Sequence, residues 1–166
     1  DEDLAGEMYE LMREKVALKG FEQYEISNFA KKGFESQHNN KYWLCEPVFG
    51  FGVSSHSFDG NDKRWSNERD TNKYVSLIEN GKTPCVETNL LTKKQLSSEF
   101  AFLNLRLTKG LDVQEYEKRF GKNLFDEYAE DLKFLEKSKL IEFEKDVLRL
   151  TSKGRLYSNE VFEIFI

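Results

Sequence analysis

The sequence predicts an α/β segment over residues 1–90 followed by a helical, winged-helix-like module over residues 91–166. Three observations carry this. A helix pattern, a glycine and a strand pattern follow one another at the start. Residues 47–53 form an apolar run without charge. Beyond Thr83-Pro84 the composition shifts to helical spacing, interrupted late by a hairpin.

From residue 3 to 19, Leu4, Met8, Leu11 and Met12 recur at i, i+4, i+7 and i+8, the spacing of one buried stripe, and Gly20 is a natural stop. Residues 21–29 read as a strand. Residues 30–41, rich in Lys, Gln, Asn and Ser, read as a loop. The run 47–53 is expected to be a strand buried on both faces of a parallel sheet, with Gly50 and Gly52 on a face pressed by something bulky. Residues 58–65 contain an Asp59-Gly60 turn and predict a hairpin. Residues 71–80 predict a short helix, and 83–88 a linker.

Thr92 is placed to cap a helix carrying Leu96, Phe100, Leu103 and Leu107. Gly110 breaks it. Asp112 and Glu115 have capping-box spacing ahead of Val113, Tyr116 and Phe120. A third helix carries Leu124, Tyr128, Leu132 and Leu135. Ile141/Phe143 and Leu148/Leu150 flank a charged turn and predict a second hairpin. Thr151 then caps a last helix with Tyr157, Val161 and Ile164.

Composition bounds the function. The 166 residues are 39% hydrophobic and 14% aromatic, enough for a packed core, and 33% are charged. The formal net charge of −5 disfavours binding to a phosphate backbone, which relies on clustered Lys and Arg. No apolar run is long enough to span a membrane. Asp1 in place of Met points to a processed or truncated start. Cys45 and Cys85 stand 40 positions apart, too few and too distant for a disulfide framework, and a reducing cytoplasm is the expected setting.

Two clusters carry candidate chemistry. The first is Gln37-His38-Asn39-Asn40-Lys41-Tyr42-Trp43, where an imidazole that could meet a metal sits beside two rings that could pack a flat ligand. A loop pinned by aromatic anchors would show the same residues. The second is Phe49-Gly50-Phe51-Gly52-Val53-Ser54-Ser55-His56-Ser57, whose small residues and His56 fall at the expected C-terminal end of a strand, where parallel-sheet enzymes place functional groups. Glycines that merely make room for packing would look alike. A zinc site from His38, His56, Cys45 and Cys85 matches no ligand spacing. A triad of Ser54, His56 and Asp59 fails because neighbours on a strand point apart. Three nearby thiolates, the minimum for an iron–sulfur cluster, are absent from the sequence.

On these residues the sequence resembles the HemW/HemN family. Tyr24-Glu25-Ile26-Ser27-Asn28-Phe29-Ala30 and His38-Asn39-Asn40-Lys41-Tyr42-Trp43 are similar to that family's Y-E-I-S-N-F-A…H-N-x-x-Y-W segment. Gly50 to Ser57 resembles its G-x-G-x-x-x-H-S run, Arg64-Trp65-Ser66-Asn67 its R-W-x-N, and Leu148-Arg149-Leu150-Thr151-Ser152-Lys153-Gly154 its L-R-L-T-x-x-G. Lys32, where relatives often have Pro, and Ser54-Ser55, in place of small Gly-Ala residues, are departures.

The resemblance implies the C-terminal strands and helices of a partial (β/α) radical S-adenosylmethionine (SAM) barrel over residues 1–90, then a HemN C-terminal domain over 91–166. It implies a 4Fe-4S cluster and SAM whose cysteines and most contacts lie upstream of this chain. It implies a cytoplasmic protein of porphyrin metabolism that binds haem through His38, Asn39, Tyr42 and Trp43, with His38 toward the iron, and passes it to an acceptor protein. Gly52, Ser54, Ser55 and His56 would edge the cavity for SAM or substrate. By itself the chain is expected to be inactive in radical chemistry, and an exposed barrel edge is expected to favour a homo-oligomer. Two alternatives stand beside this. One is an oxygen-independent coproporphyrinogen III oxidase. The other is a winged-helix nucleic-acid-binding module, which Asp126, Glu127, Glu130 and Asp131 on its third helix would oppose.

Overall fold

Short polar caps punctuate this chain, and the computed structural model describes residues 2–166, with nothing described of the side chains of Glu2, Asp3 and Ala5. The first helix, α1, spans Glu2–Ala17, and two-residue strands β1 (Glu22–Gln23) and β2 (Phe29–Ala30) pair with each other. Helix α2 spans Gln37–Trp43. A three-stranded antiparallel sheet, order β3-β4-β5, consists of β3 (His56–Phe58), β4 (Lys63–Asn67) and β5 (Cys85–Leu90), with α3 (Thr71–Glu79) in the last connection.

The second half opens with α4 (Lys93–Arg106), whose start has both halves of a capping box, Thr92 with Gln95. Strand β6 (Leu111–Asp112) and helices α5 (Val113–Phe120), α6 (Leu124–Glu127) and α7 (Ala129–Lys137) follow. Strands β7 (Ile141–Glu144) and β8 (Val147–Leu150) form the second hairpin, in a sheet of order β6-β8-β7. Helices α8 (Ser152–Leu156) and α9 (Ser158–Glu163) close the chain. The winged-helix-like succession of three helical segments, a hairpin and a helix is therefore present, with the third and last helices each broken in two.

The core lies in this second half. Tyr116, Leu111, Leu124, Leu105 and Val161 have essentially no exposure, whereas among the described residues of 1–90 only Cys45 and Phe58 belong to the same buried cluster. Both hairpins form as expected, each with its turn residues between paired strands.

Several expectations are corrected. The run 47–53 is not a buried parallel strand: Val48 alone bridges to Phe58, and Phe51 is 92% exposed. Every strand pairing among the described residues is antiparallel. The linker 83–88 is largely β5, whose side chains are mostly exposed and so give no alternation signal. The α1 stripe Leu4, Met8, Leu11 and Met12 faces outward, because the helix is tied to its neighbours on another side, where the Tyr9 hydroxyl donates to the Ile26 carbonyl at 3.1 Å. Residues 21–29, expected as one strand, instead turn back on themselves as the short pair β1 and β2, and exposed apolar residues lie on α1 and on the loop carrying Phe49 and Phe51.

Candidate functional site

The H-N-x-x-Y-W residues form α2 rather than a loop. Ser36 caps it, its hydroxyl accepting from the Asn39 N–H at 3.2 Å. Helical spacing puts His38 and Tyr42 one turn apart on one side, with ring centroids 5.0 Å apart and planes at 85°. His38 is exposed and Asn39 partly so. Trp43 is half-buried, and the Arg106 guanidinium lies over its ring, 4.3 Å from the centroid. Arg106 also donates to Glu25 at 3.4 Å. Glu25 has no exposed surface, and its carboxylate accepts from the Ser27 N–H at 3.1 Å and the Asn28 amide at 2.5 Å.

The G-x-G-x-x-x-H-S run folds as a tight loop leading into β3. The Gly50 N–H donates to the Ser57 hydroxyl at 3.0 Å, and the Ser55 hydroxyl donates to the Gly52 carbonyl at 2.9 Å. Asn67, the last residue of R-W-x-N, donates its amide to the Gly52 carbonyl at 3.2 Å and to the Ser55 hydroxyl at 3.0 Å. Ser54 is exposed, with its N–H on the Glu68 carbonyl at 3.0 Å. Gly50 is needed for close approach: a Cβ there would strike the backbone carbonyl of His56. Gly52, Ser54 and Ser55 therefore build the loop and present little side chain of their own.

Sheet register then sets one wall of a cavity. His56, Ser66 and Glu87 stand opposite one another across β3, β4 and β5, and Phe58, Arg64 and Asn89 form the next row. The cavity has a volume of about 480 Å³. Tyr42 and Trp43 of α2 line it together with His56, and Glu99, Phe102 and Leu103 of α4 contribute from the other half of the chain. Arg64 spans it, donating through both terminal nitrogens to Glu99 at 2.8 and 2.6 Å. An aromatic and aliphatic lining with a few placed polar groups is the composition of a small-molecule site. His38 and Asn39 stand outside that lining, as do Gly52, Ser54 and Ser55.

The cysteines do not fit an iron–sulfur cluster. Burial pushes the Cys45 thiol up to about 11, against the opposing pull of Arg119, so it stays protonated. The Cys85 thiol lies 3.5 Å from the Glu87 carbonyl. Among the described residues no three His, Cys, Asp or Glu side chains gather where they could hold a metal ion.

Sequence reading missed Glu25, Arg64, Glu99 and Arg106. The first two lie inside the quoted motifs, so their position was visible but their partners were not. Arg106 carries no local signal, because its contacts reach back across 63 and 81 positions, to Trp43 and Glu25.

The fold is that of part of a radical SAM enzyme. It matches the structure of "Coproporphyrinogen III oxidase (HemN) from Escherichia coli" with a TM-score of 0.74 at 20% identity, over 95% of this chain and 39% of that one. The description "HemN C-terminal domain" matches residues 91–157. A Bacillus subtilis protein named "Heme chaperone HemW" is 38% identical over 160 residues, 96% of this chain and 42% of the relative. The mouse "Radical S-adenosyl methionine domain-containing protein 1, mitochondrial" is 33% identical over 71% of this chain and 28% of its own length. The chain belongs to the HemW/HemN family, and its mixture of helices and antiparallel sheets agrees with a partial barrel followed by the HemN C-terminal domain. It spans about two-fifths of the length of the bacterial relatives it matches, 42% and 43% of the first two.

Proposed function

We propose that this chain is part of a HemW-like radical SAM protein that binds haem and delivers it to an acceptor protein in the cytoplasm. The supporting observation is the convergence of the H-N-x-x-Y-W helix on an aromatic-lined cavity: Tyr42 and Trp43 offer apolar faces to a macrocycle, beside a second wall that carries His56. His38, exposed on the same helix face as Tyr42, is the group available to the haem iron as ligand moves in and out, and Asn39 is its helical neighbour. Gly52, Ser54 and Ser55 shape the loop that delivers His56 to the sheet edge, next to the place proposed for SAM or substrate. The cluster that supplies radical chemistry in this family would be held by residues other than these.

The same fold in HemN supports a second reading, decarboxylation of coproporphyrinogen III, but at 20% identity that likeness concerns the fold alone. Nucleic-acid binding is opposed by Asp126, Glu127, Glu130 and Asp131, all exposed on α6 and α7. Among the described residues no helix is long and apolar enough to cross a membrane.

The test is haem titration of the full-length protein, followed at the Soret band, with His38→Ala and His56→Ala variants. Weakening by about tenfold or more for His38→Ala, with His56→Ala close to the parent, is expected. The reverse order would move the ligand to His56. Parent-like binding by both would place the haem site elsewhere. Decarboxylation of coproporphyrinogen III by the reconstituted protein, without haem binding, would favour the oxidase.

A further inference from the structure

We infer that Arg106, held by the buried carboxylate of Glu25, is the positioning residue that fixes the plane of the Trp43 indole and with it the shape of the cavity beneath α2. The consequence for binding rests on the haem reading above; the effect on the indole does not.

Arg106 comes from the last turn of α4, in the half of the chain that carries the HemN C-terminal domain. It is tied to the first half twice. Its carbonyl accepts from the Ile26 N–H at 3.1 Å, and its terminal nitrogen donates to Glu25 at 3.4 Å. The same guanidinium lies 4.3 Å from the centre of the Trp43 ring. Its Nε is buried without an oxygen partner. The indole N–H of Trp43 and the amide oxygen of Asn40 are also buried without partners. No hydrogen bond from the indole fixes its orientation, which leaves packing, including the guanidinium over its face, to set it.

The choice of residue types follows from physics. A planar guanidinium can pair with a carboxylate at its edge and stack on a ring with its face, and a lysine ammonium cannot do both. Glu25 has no exposed surface, so without Arg106 its charge would be buried with hydrogen-bond donors but no counter-charge. Trp43 lines the cavity, and Phe102 and Leu103 reach the same cavity from the helix that carries Arg106. The second half thus shapes the binding wall and does more than cover it.

Full-length protein labelled with 5-fluorotryptophan gives one fluorine resonance per tryptophan, and the Trp43 line is assigned by its loss in Trp43→Phe. Arg106→Lys keeps the charge beside Glu25 but removes the planar face. The double variant Glu25→Gln/Arg106→Met removes both charges together and keeps the test open if the single variant folds poorly. The Trp43 resonance should shift in both, and by more than the Trp65 resonance. Haem affinity should fall about tenfold in Arg106→Lys, because the indole face is then no longer held by a planar guanidinium at the cavity wall. A Trp43 line unmoved in both variants overturns the inference, as does a moved line with intact haem affinity in a parent that binds haem. A parent that binds no haem refutes the haem reading, and the resonance shift still decides the role of Arg106.

Discussion

Arg64 and Glu99 meet fork to fork, at 2.8 and 2.6 Å, and join β4 to α4 across the cavity. Arg64 also lies over the Phe58 ring at 5.2 Å. With Arg106 on Glu25, and Arg119 donating to the carbonyls of Cys45 and Gly60 at 3.4 and 3.3 Å, three arginines tie the two halves of the chain together.

Glu99→Gln keeps the shape of the side chain and removes its charge. Because the Arg64 side chain is 39% exposed, solvent screens the pair, and the expected cost is only ~1 kcal/mol. Urea denaturation should show a lowered midpoint with an unchanged slope, and the difference should shrink in high salt. An unchanged midpoint at low salt would mean that the pair contributes nothing to joining the halves.

Tyr116, fully buried, donates its hydroxyl to Glu127 at 2.7 Å, and Lys122 pairs with the other carboxylate oxygen. Burial alone would raise the Glu127 carboxyl, but the hydrogen bonds from Lys122 and Tyr116 outweigh it and hold the group below its ordinary 4.5. A depressed folded-state value means stability that is present above 4.5 and lost as pH falls through the lower, folded value. Tyr116→Phe and Glu127→Gln should each be destabilised by ~1 kcal/mol at pH 7. For Glu127→Gln the gap from the parent should narrow as pH drops below 4.5 in a series of thermal melts. A gap constant from pH 7 to pH 3 would contradict the charge-assisted origin.

Sequence legibility followed the physics of each signal. Caps were readable because one side chain satisfies one nearby N–H: Thr92, Asp112 and Thr151 all cap their helices, but the reciprocal box forms at Thr92 with Gln95, whereas at the Asp112–Glu115 pair only the Asp112 carboxylate accepts from the Glu115 N–H. Tyr116, Leu132 and Leu135 were readable as core from period alone. Helix α2 was not, since it buries no residue fully and so has no apolar period. The run 47–53 is uncharged and apolar, the local pattern of a buried strand, yet it forms none. Its backbone instead folds on Asn67 and Ser57, contacts that no local pattern encodes. Within the site, the spacing of His38 and Tyr42 was legible once a helix was granted. That His56 and Trp43 line one cavity depends on how α2 packs over the sheet, which sequence spacing does not report.

Gly154 tests the L-R-L-T-x-x-G motif. Thr151 accepts from the Gly154 N–H at 2.9 Å and donates its hydroxyl to the Lys139 carbonyl at 2.7 Å, which draws α8 onto the end of α7. A Cβ at Gly154 would overlap the backbone carbonyl of Leu140, and backbone has little freedom to give way. Gly154→Ala should therefore cost ~2 kcal/mol or more, visible as a lower melting temperature. The exposed control Glu160→Ala should melt like the parent. Equal melting of both variants would show that α8 can move away at little cost.

The two thiols should differ sharply in reactivity. Cys45 is 9% exposed, and burial raises it to about 11 despite the opposing Arg119. Against an ordinary thiol at 9.0, that difference of two units leaves about one-hundredth of the thiolate at pH 8, and thiolate is the form that attacks an alkylating agent. Cys85, on the first position of β5, is only partly buried and lies on the outer strand of its sheet. A brief iodoacetamide pulse on native full-length protein, read by peptide mass spectrometry, should label Cys85 and leave Cys45 unmodified, with Cys45 labelled only after urea. Labelling of Cys45 at the rate of Cys85 in the native protein would mean that the segment between α2 and β3 opens readily. The floor of the cavity, to which Cys45 contributes, would then be no fixed surface for a ligand.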